Sequence, residues 1–181
     1  RDTALRALRF PFPAFRAGQR ELSEAVYRHH THARTLLAQA PTGIGKTVST
    51  LFAALKAAPG ARTDQLLYLT AKTTGRRMAL DALSRLGFAS AEARPLRVLE
   101  RVAREKACEH PDKACHGESC PLAQGFHDRL PAAREEAALT AWLDREALRE
   151  VALRHQVCPY FLGQEMLRWS DVMVGDYNHF F

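Results

Sequence analysis

The chain has 181 residues, 46% of them hydrophobic and 25% charged, with a net charge of +6. That is enough chain for one hydrophobic core, or one core carrying a small insertion, and no run approaches the ~18 apolar residues of a membrane-spanning helix. Lys and Arg outnumber Asp and Glu by 9 to 3 over residues 1–60, by 11 to 8 over 61–120, and fall short by 6 to 9 over 121–181, so the basic excess sits at the front and suits an anionic partner there.

No charged-then-apolar leader opens the chain, which reads as soluble, and a start at Arg1 is expected inside a longer protein. Arg1 to Pro13 is basic and aromatic, with Pro11 and Pro13 breaking any helix. From Ala14 the pattern turns helical, with Leu22, Ala25, Val26 and His29 on one face. Within this stretch lies Phe15-Arg16-Ala17-Gly18-Gln19, and the Gln19 amide can donate to and accept from an adenine edge at once.

Leu36 to Thr47 (L-L-A-Q-A-P-T-G-I-G-K-T) reads as a strand, a small-residue turn and the start of a helix, Val48 to Ala58. This is the pattern of a phosphate loop, with Ala40 where the usual pattern begins with Gly. Glycines at 43 and 45 let the backbone of Thr42, Gly43, Ile44 and Gly45 curl its N–H groups inward to meet phosphate oxygens. Lys46 would reach the outer phosphates, and the Thr47 hydroxyl would hold Mg²⁺.

Pro59-Gly60-Ala61 reads as a turn, and Gln65 to Ala71 as a buried strand. The polar, basic run Lys72 to Arg77 leads into an amphipathic helix through Met78, Leu80, Leu83 and Leu86 that stops at Gly87. Ligands of open α/β sheets bind at the carboxyl ends of strands, which makes Thr70, Lys72, Thr73 and Arg76 candidate contacts to a phosphate backbone. Leu96 to Val102 is a weaker strand. Helices are expected near Ala132 to Leu143 and from Asp144, as N-cap, to His155. Pro159 to Trp169 reads as helical and Asp171 to Asp176 as a strand returning to the sheet, so the chain reads as one α/β domain with an insertion.

The four cysteines, Cys108, Cys115, Cys120 and Cys158, have the spacing C-x6-C-x4-C-x37-C. Beside a nucleotide loop they are not expected to be disulfides, because the cytosol is reducing. Three fall within thirteen residues of weakly hydrophobic chain, where a bound metal could supply the missing stability. Zinc sites favour two C-x2-4-C pairs, and this sequence has no C-x2-C pair, whereas longer, unequal spacings and Pro after Cys120 and Cys158 suit an iron–sulfur cluster. His110 and His116 keep a mixed Cys/His zinc site open, and free thiols are the third reading.

Taken together, Phe15-Arg16-x-Gly18-Gln19, the A-P-T-G-I-G-K-T loop, Leu69-Thr70-Ala71-Lys72-Thr73, the cysteines and Val174-Gly175-Asp176-Tyr177-Asn178 resemble the XPD/DinG family of superfamily 2 DNA helicases. The resemblance implies a RecA-like α/β motor domain, ATP and Mg²⁺ as cofactors, and 5′ to 3′ movement on single-stranded or forked DNA in repair or replication. It implies Gln19 as the adenine reader, Thr42 to Thr47 as the phosphate loop, and Thr70 to Thr73 as DNA contacts. The four cysteines match the family's [4Fe–4S] ligands, and Arg104 a basic residue beside the cluster, able to face DNA.

In those terms residues 1–102 begin the motor domain, 103–158 form the cluster insertion and 159–181 return to the motor domain. The family places an Asp-Glu-Ala-His segment after the strand at Val174, then a second motor domain. Neither occurs before Phe181, so the chain is expected to be the N-terminal portion of a monomeric cytoplasmic helicase and inactive alone. The rival readings are a zinc-stabilised nucleic-acid-binding or sensor module that uses the loop as a switch, and a small-molecule kinase.

Overall fold

A computed structural model describes residues 1–90 and 96–179. The chain divides into two compact units, Arg1–Leu66 with Arg77–Pro95, and Leu67–Arg76 with Leu96–Phe181. No helix among the described residues is long and apolar enough to cross a membrane.

The first unit is helical. Its helices are α1 (Asp2–Ala7), α2 (Gln19–Thr31), α3 (Lys46–Ala61) and the later turns of α4 (Thr73–Arg85). Val48, Leu51, Leu55 and Ala58 recur at three- and four-residue steps along α3, so one stripe of that helix is buried. Leu5 of α1 and Leu22 of α2 are buried too, and both helices pack on α3. The buried face of α4 is Ala79, Ala82, Leu83 and Leu86, while Met78 is 59% exposed, one position off the face expected for it. The chain turns at Gly87, whose φ is 92°.

Two expectations fail in this unit. Pro59-Gly60-Ala61 is no turn but the last turn of α3, with Pro59 buried. A proline near a helix end forfeits one backbone bond, and the chain instead closes at Arg62, in the left-handed region at φ 54°, with Thr63 N donating to Ala58 O at 3.0 Å. Leu36 to Ala40 is no strand, and Leu37 is 95% exposed. A strand exists only where a neighbour offers its backbone groups, and this short run has no β-branched or aromatic residue to favour pairing.

The second unit holds the sheet. Strands β1 (Leu66–Thr70), β2 (Val98–Glu100), β3 (Trp142–Leu143) and β4 (Val172–Asp176) lie in the order β1-β4-β2-β3. β2 runs parallel to β4, with Leu99 opposite Met173, and parallel to β3, with Leu99 opposite Leu143. Val98, Leu99, Val172 and Val174 are fully buried, as befits central strands covered on both faces. β1 is less buried than its sequence suggests, with Leu67 36% exposed.

Helices α5 (Arg104–Ala107), α6 (Phe126–Thr140), α7 (Arg145–Arg154) and α8 (Pro159–Met166) complete the unit. Leu99 and Leu143 of the sheet join Ala133, Ala137, Leu148, Val151, Leu162 and Met166 of α6, α7 and α8 in one core. The alanines on α6 let the helices approach closely. Asp144 caps α7 as its sequence suggests, its side chain accepting from Ala147 N at 2.9 Å. α6 starts earlier and ends sooner than expected, because Gly125, at φ 61°, opens it and Ala141, at φ 61°, closes it.

Candidate nucleotide and cysteine sites

The phosphate loop has the backbone its sequence requires. Gly43 and Gly45 sit at φ 84° and 87°, a region that residues with a Cβ rarely enter. Gly45 is the N-cap of α3 and no side chain caps that helix, so its first N–H groups remain for a ligand. Lys46 Nζ folds back to donate to the carbonyls of Ala40 (2.9 Å) and Pro41 (2.7 Å). Thr42 is exposed, while Ile44 and Thr47 are half-buried. Ser49 and Thr50 spend their hydroxyls on the carbonyls of Gly45 and Lys46 within α3.

The segment Phe15 to Gln19 is docked on this loop. Gln19 is 3% exposed; its Oε1 accepts from Arg16 N at 2.9 Å, and its Nε2 lies so close that a Cβ on Gly45 would stand 2.5 Å from it. Arg16 Nη1 donates to Gly43 O at 2.6 Å, and a Cβ on Gly18 would meet Ile44 Cδ1 at 3.0 Å. Three consecutive contacts therefore register the segment against Gly43, Ile44 and Gly45. The sequence alone assigns Arg16 no contact, although its basic charge two residues before Gly18 is a signal for one. Phe15 stacks on Phe10 at 4.0 Å and lies under the Arg20 guanidinium. A cleft of about 580 Å³ opens beside it, lined by Phe15, Tyr27 and Phe52 and by three cations, Arg20, Arg28 and Lys56, against Glu24. That lining suits an anionic aromatic ligand.

In the second unit, Thr70 ends β1 and its Oγ1 receives Lys72 N at 3.4 Å. A methyl on Gly75 would overlap Thr70 Oγ1, so only glycine fits there. Lys72 and Thr73 are exposed, Thr73 Oγ1 accepting from Lys106 Nζ at 3.4 Å. Arg76 is different. It is 4% exposed, and its Nε donates to Glu100 Oε1 at 3.3 Å, while Glu100 Oε2 accepts from Arg145 N at 3.1 Å. In this structure Arg76 joins α4 to the end of β2 and is withdrawn from the exposed set. Arg104, the first residue of α5, is exposed and lines a cavity of about 290 Å³ with Cys108 and Cys115.

All four cysteines are free thiols. Cys120 is buried, Cys108 and Cys158 are half-buried and Cys115 is exposed. Burial pushes the Cys158 thiol up from its ordinary value, the N–H groups of Phe161 and Tyr160 pull it down, and Cys108 and Cys120 push it up again. Cys158 is thus within electrostatic reach of Cys108 and of Cys120, and Cys108 shares a cavity with Cys115. Among the described residues no three Cys, His, Asp or Glu side chains are grouped to hold a metal ion. His116 bonds Ser119 Oγ at 3.3 Å, apart from any such group.

The donor set can be tested against each candidate metal. A single Zn²⁺ gathers its sulfurs at about 2.3 Å from one point. A four-iron cluster spreads four cysteine thiolates around a larger body, and a set of four free cysteines is the donor chemistry such a cluster takes. Ion pairs steady the segments that carry the thiols. Arg149 of α7 holds both carboxylate oxygens of Glu109, next to Cys108, at 2.6 and 2.7 Å.

The DEAD_2 family model matches residues 92–181. The general transcription and DNA repair factor IIH helicase subunit XPD of Dictyostelium discoideum is 27% identical over 88 residues, which are 49% of this chain and 11% of that protein. A solved XPD helicase structure superposes with a TM-score of 0.60 over 94% of this chain and 29% of its own, at 18% identity, which is a likeness of fold. The chain spans about a tenth of the curated relative. With an α/β fold that matches part of a RecA-like helicase domain and a DEAD_2 match through its second half, the chain belongs to the XPD/DinG-like family of superfamily 2 helicases.

Proposed function

We propose that these residues form part of the first motor domain of an ATP-dependent DNA helicase that moves 5′ to 3′ on single-stranded or forked DNA and acts in DNA repair. The observation that carries the nucleotide reading is the docking of Phe15 to Gln19 on the loop. It sets the Gln19 carboxamide, the group assigned to adenine, directly against Gly45, beside the phosphate cradle. Lys46, whose Nζ donates to the carbonyls of Ala40 and Pro41, would meet the outer phosphates, and the Thr47 hydroxyl would be a ligand for Mg²⁺, which would supply charge neutralisation there. Thr42 to Gly45 supply backbone N–H groups.

Thr70, Lys72, Thr73 and Arg104 are assigned to the DNA backbone, and Arg76 supports them by fixing the start of α4 against Glu100. Cys108, Cys115, Cys120 and Cys158 would hold a [4Fe–4S] cluster, which when bound staples chain segments that bury little apolar surface. Turnover and unwinding belong to the whole helicase rather than to these residues alone.

Titration of Mg²⁺ with a fluorescent ATP analogue tests the nucleotide site. The chain is expected to bind, and Lys46→Ala to weaken binding about 10- to 100-fold, the worth of a charge-assisted bond. Equal affinity in the two proteins would remove Lys46 from the site. Binding of single-stranded DNA should weaken with salt by a slope of about −0.7 per phosphate contacted; no binding at low salt would contradict the DNA assignment.

A further inference from the structure

Arg129 of α6 lies outside every motif described above, yet its guanidinium reaches both arms that carry Cys120 and Cys158. Nη2 donates to the carbonyls of Pro121 (3.3 Å) and Gln124, and Nη1 to Gln156 Oε1 at 3.5 Å. Pro121 directly follows Cys120, and Gln156 stands two residues before Cys158. The third donor, Nε–H, is buried and has no acceptor, alone in this respect among the buried side-chain nitrogens and oxygens of the described residues. Folded proteins rarely leave such a group unpaired unless something else uses it.

A second unfavourable feature converges on the same place. Gln156 has a φ of 53°, in the left-handed region that favours glycine. It closes α7, with Val157 N donating to Ala152 O at 2.9 Å and Gln156 N to Leu153 O at 3.1 Å. Glycine would fit that backbone better, but only a side chain can meet Arg129.

We propose that Arg129 is a positioning residue for the cysteine-bound iron–sulfur cluster: its two Nη groups hold the Cys120 and Cys158 arms, and its Nε–H is the donor reserved for a sulfur of the bound group. The inference rests on the reading of the four cysteines as cluster ligands. A hydrogen bond to sulfur stabilises the more negative, reduced state, so losing it lowers the reduction potential. Losing the Nη contacts frees the arms and speeds iron loss.

The test uses the 181-residue chain reconstituted anaerobically with ferrous iron and sulfide. Bound iron, the reduction potential from a mediated titration, and the rate of iron release to a chelator are measured. Arg129→Lys keeps a charge but loses the fork and Nε, and Arg129→Met keeps only the stem. Arg134→Lys is the control, since Arg134 lies on the same helix and pairs with Glu165 at 3.0 Å. Both Arg129 variants are expected to show a lower potential and about 10-fold faster release, with Arg134→Lys at parental values. A Lys variant that keeps its helical circular dichroism but takes up no iron is the extreme of the same result. If Arg129→Met fails to fold, Arg129→Lys decides. Parental potential and release rate in a loaded Arg129→Lys chain overturn this inference alone. A parent that takes up zinc, or no iron and sulfide, overturns the cluster reading and this inference with it.

Discussion

Gly45→Ala is the substitution that most directly probes how the Phe15–Gln19 segment and the phosphate loop depend on each other. Two costs are separable. The first is backbone: at φ 87° an alanine carries about 1–2 kcal/mol of left-handed strain. The second is displacement, because the new Cβ stands 2.5 Å from Nε2 of Gln19, a residue only 3% exposed. Evicting the amide breaks the 2.9 Å bond from Arg16 N and strands a buried donor or acceptor, about 1–3 kcal/mol. Gly45→Ala should therefore cost about 2–5 kcal/mol.

Gln19→Ala alone forfeits the same bond, about 1–3 kcal/mol, but makes room for the methyl group. The double variant then carries the backbone strain once and the lost bond once, falling short of the sum of the singles by about 1–3 kcal/mol. Urea denaturation of the four proteins, followed by circular dichroism, measures that coupling. Additivity within about 0.5 kcal/mol would show that Gln19 does not rest on Gly45 and would refute the docked arrangement.

Other expectations follow from the second unit. Glu100→Ala leaves the Arg76 guanidinium buried and unpaired and takes the acceptor from Arg145 N, so it should cost about 3–5 kcal/mol. Adding Arg76→Met should recover a large part of the loss in the same urea assay, and a Glu100→Ala protein within 1 kcal/mol or so of the parent would deny the buried pair. Hydrogen bonds from Arg154 and His155 hold the Glu136 carboxyl below its ordinary value. Its folded value is the lower one, so the pairing contributes above the unfolded carboxylate value of about 4.3 and is lost as pH falls through the folded value. Glu136→Gln should flatten the acid side of a thermal-midpoint profile below about pH 5 and leave the slope near neutrality unchanged; identical acid slopes would rule the pairing out.

Local backbone rules and long-range pairing separate what the sequence tells from what it hides. Gly43, Gly45 and Gly87 are legible because a left-handed φ has one common residue for it, and Asp144 because a capping oxygen needs only the N–H three residues on. Gln19 is legible through its place in a Phe-Arg-x-Gly-Gln segment ahead of the loop, a segment that ends at the first residue of α2 and is docked on the loop. The strand expected at Leu36 is not legible in this way. Its hydrophobicity is real, but a strand is a property of two chains of backbone and the sequence displays one.

The arginines make the point sharply, because as letters they are alike. Arg16 bonds Gly43 across 27 residues, Arg76 is consumed by Glu100 across 24, and Arg129 reaches Gln156 across 27. Nothing in the immediate sequence of any of the three sets it apart from a solvated surface charge. The basic run Lys72 to Arg77 looks uniform, yet the fold keeps Lys72 in solvent and buries Arg76, because α4 begins at Thr73 and turns position 76 toward the end of β2. Which of several cations meets a polymer and which holds the scaffold is decided by helical phase and by a carboxylate on a distant strand. A charge count over the run therefore overstates the contacts available to DNA, and Arg76 should contribute to fold stability rather than to the salt dependence of binding.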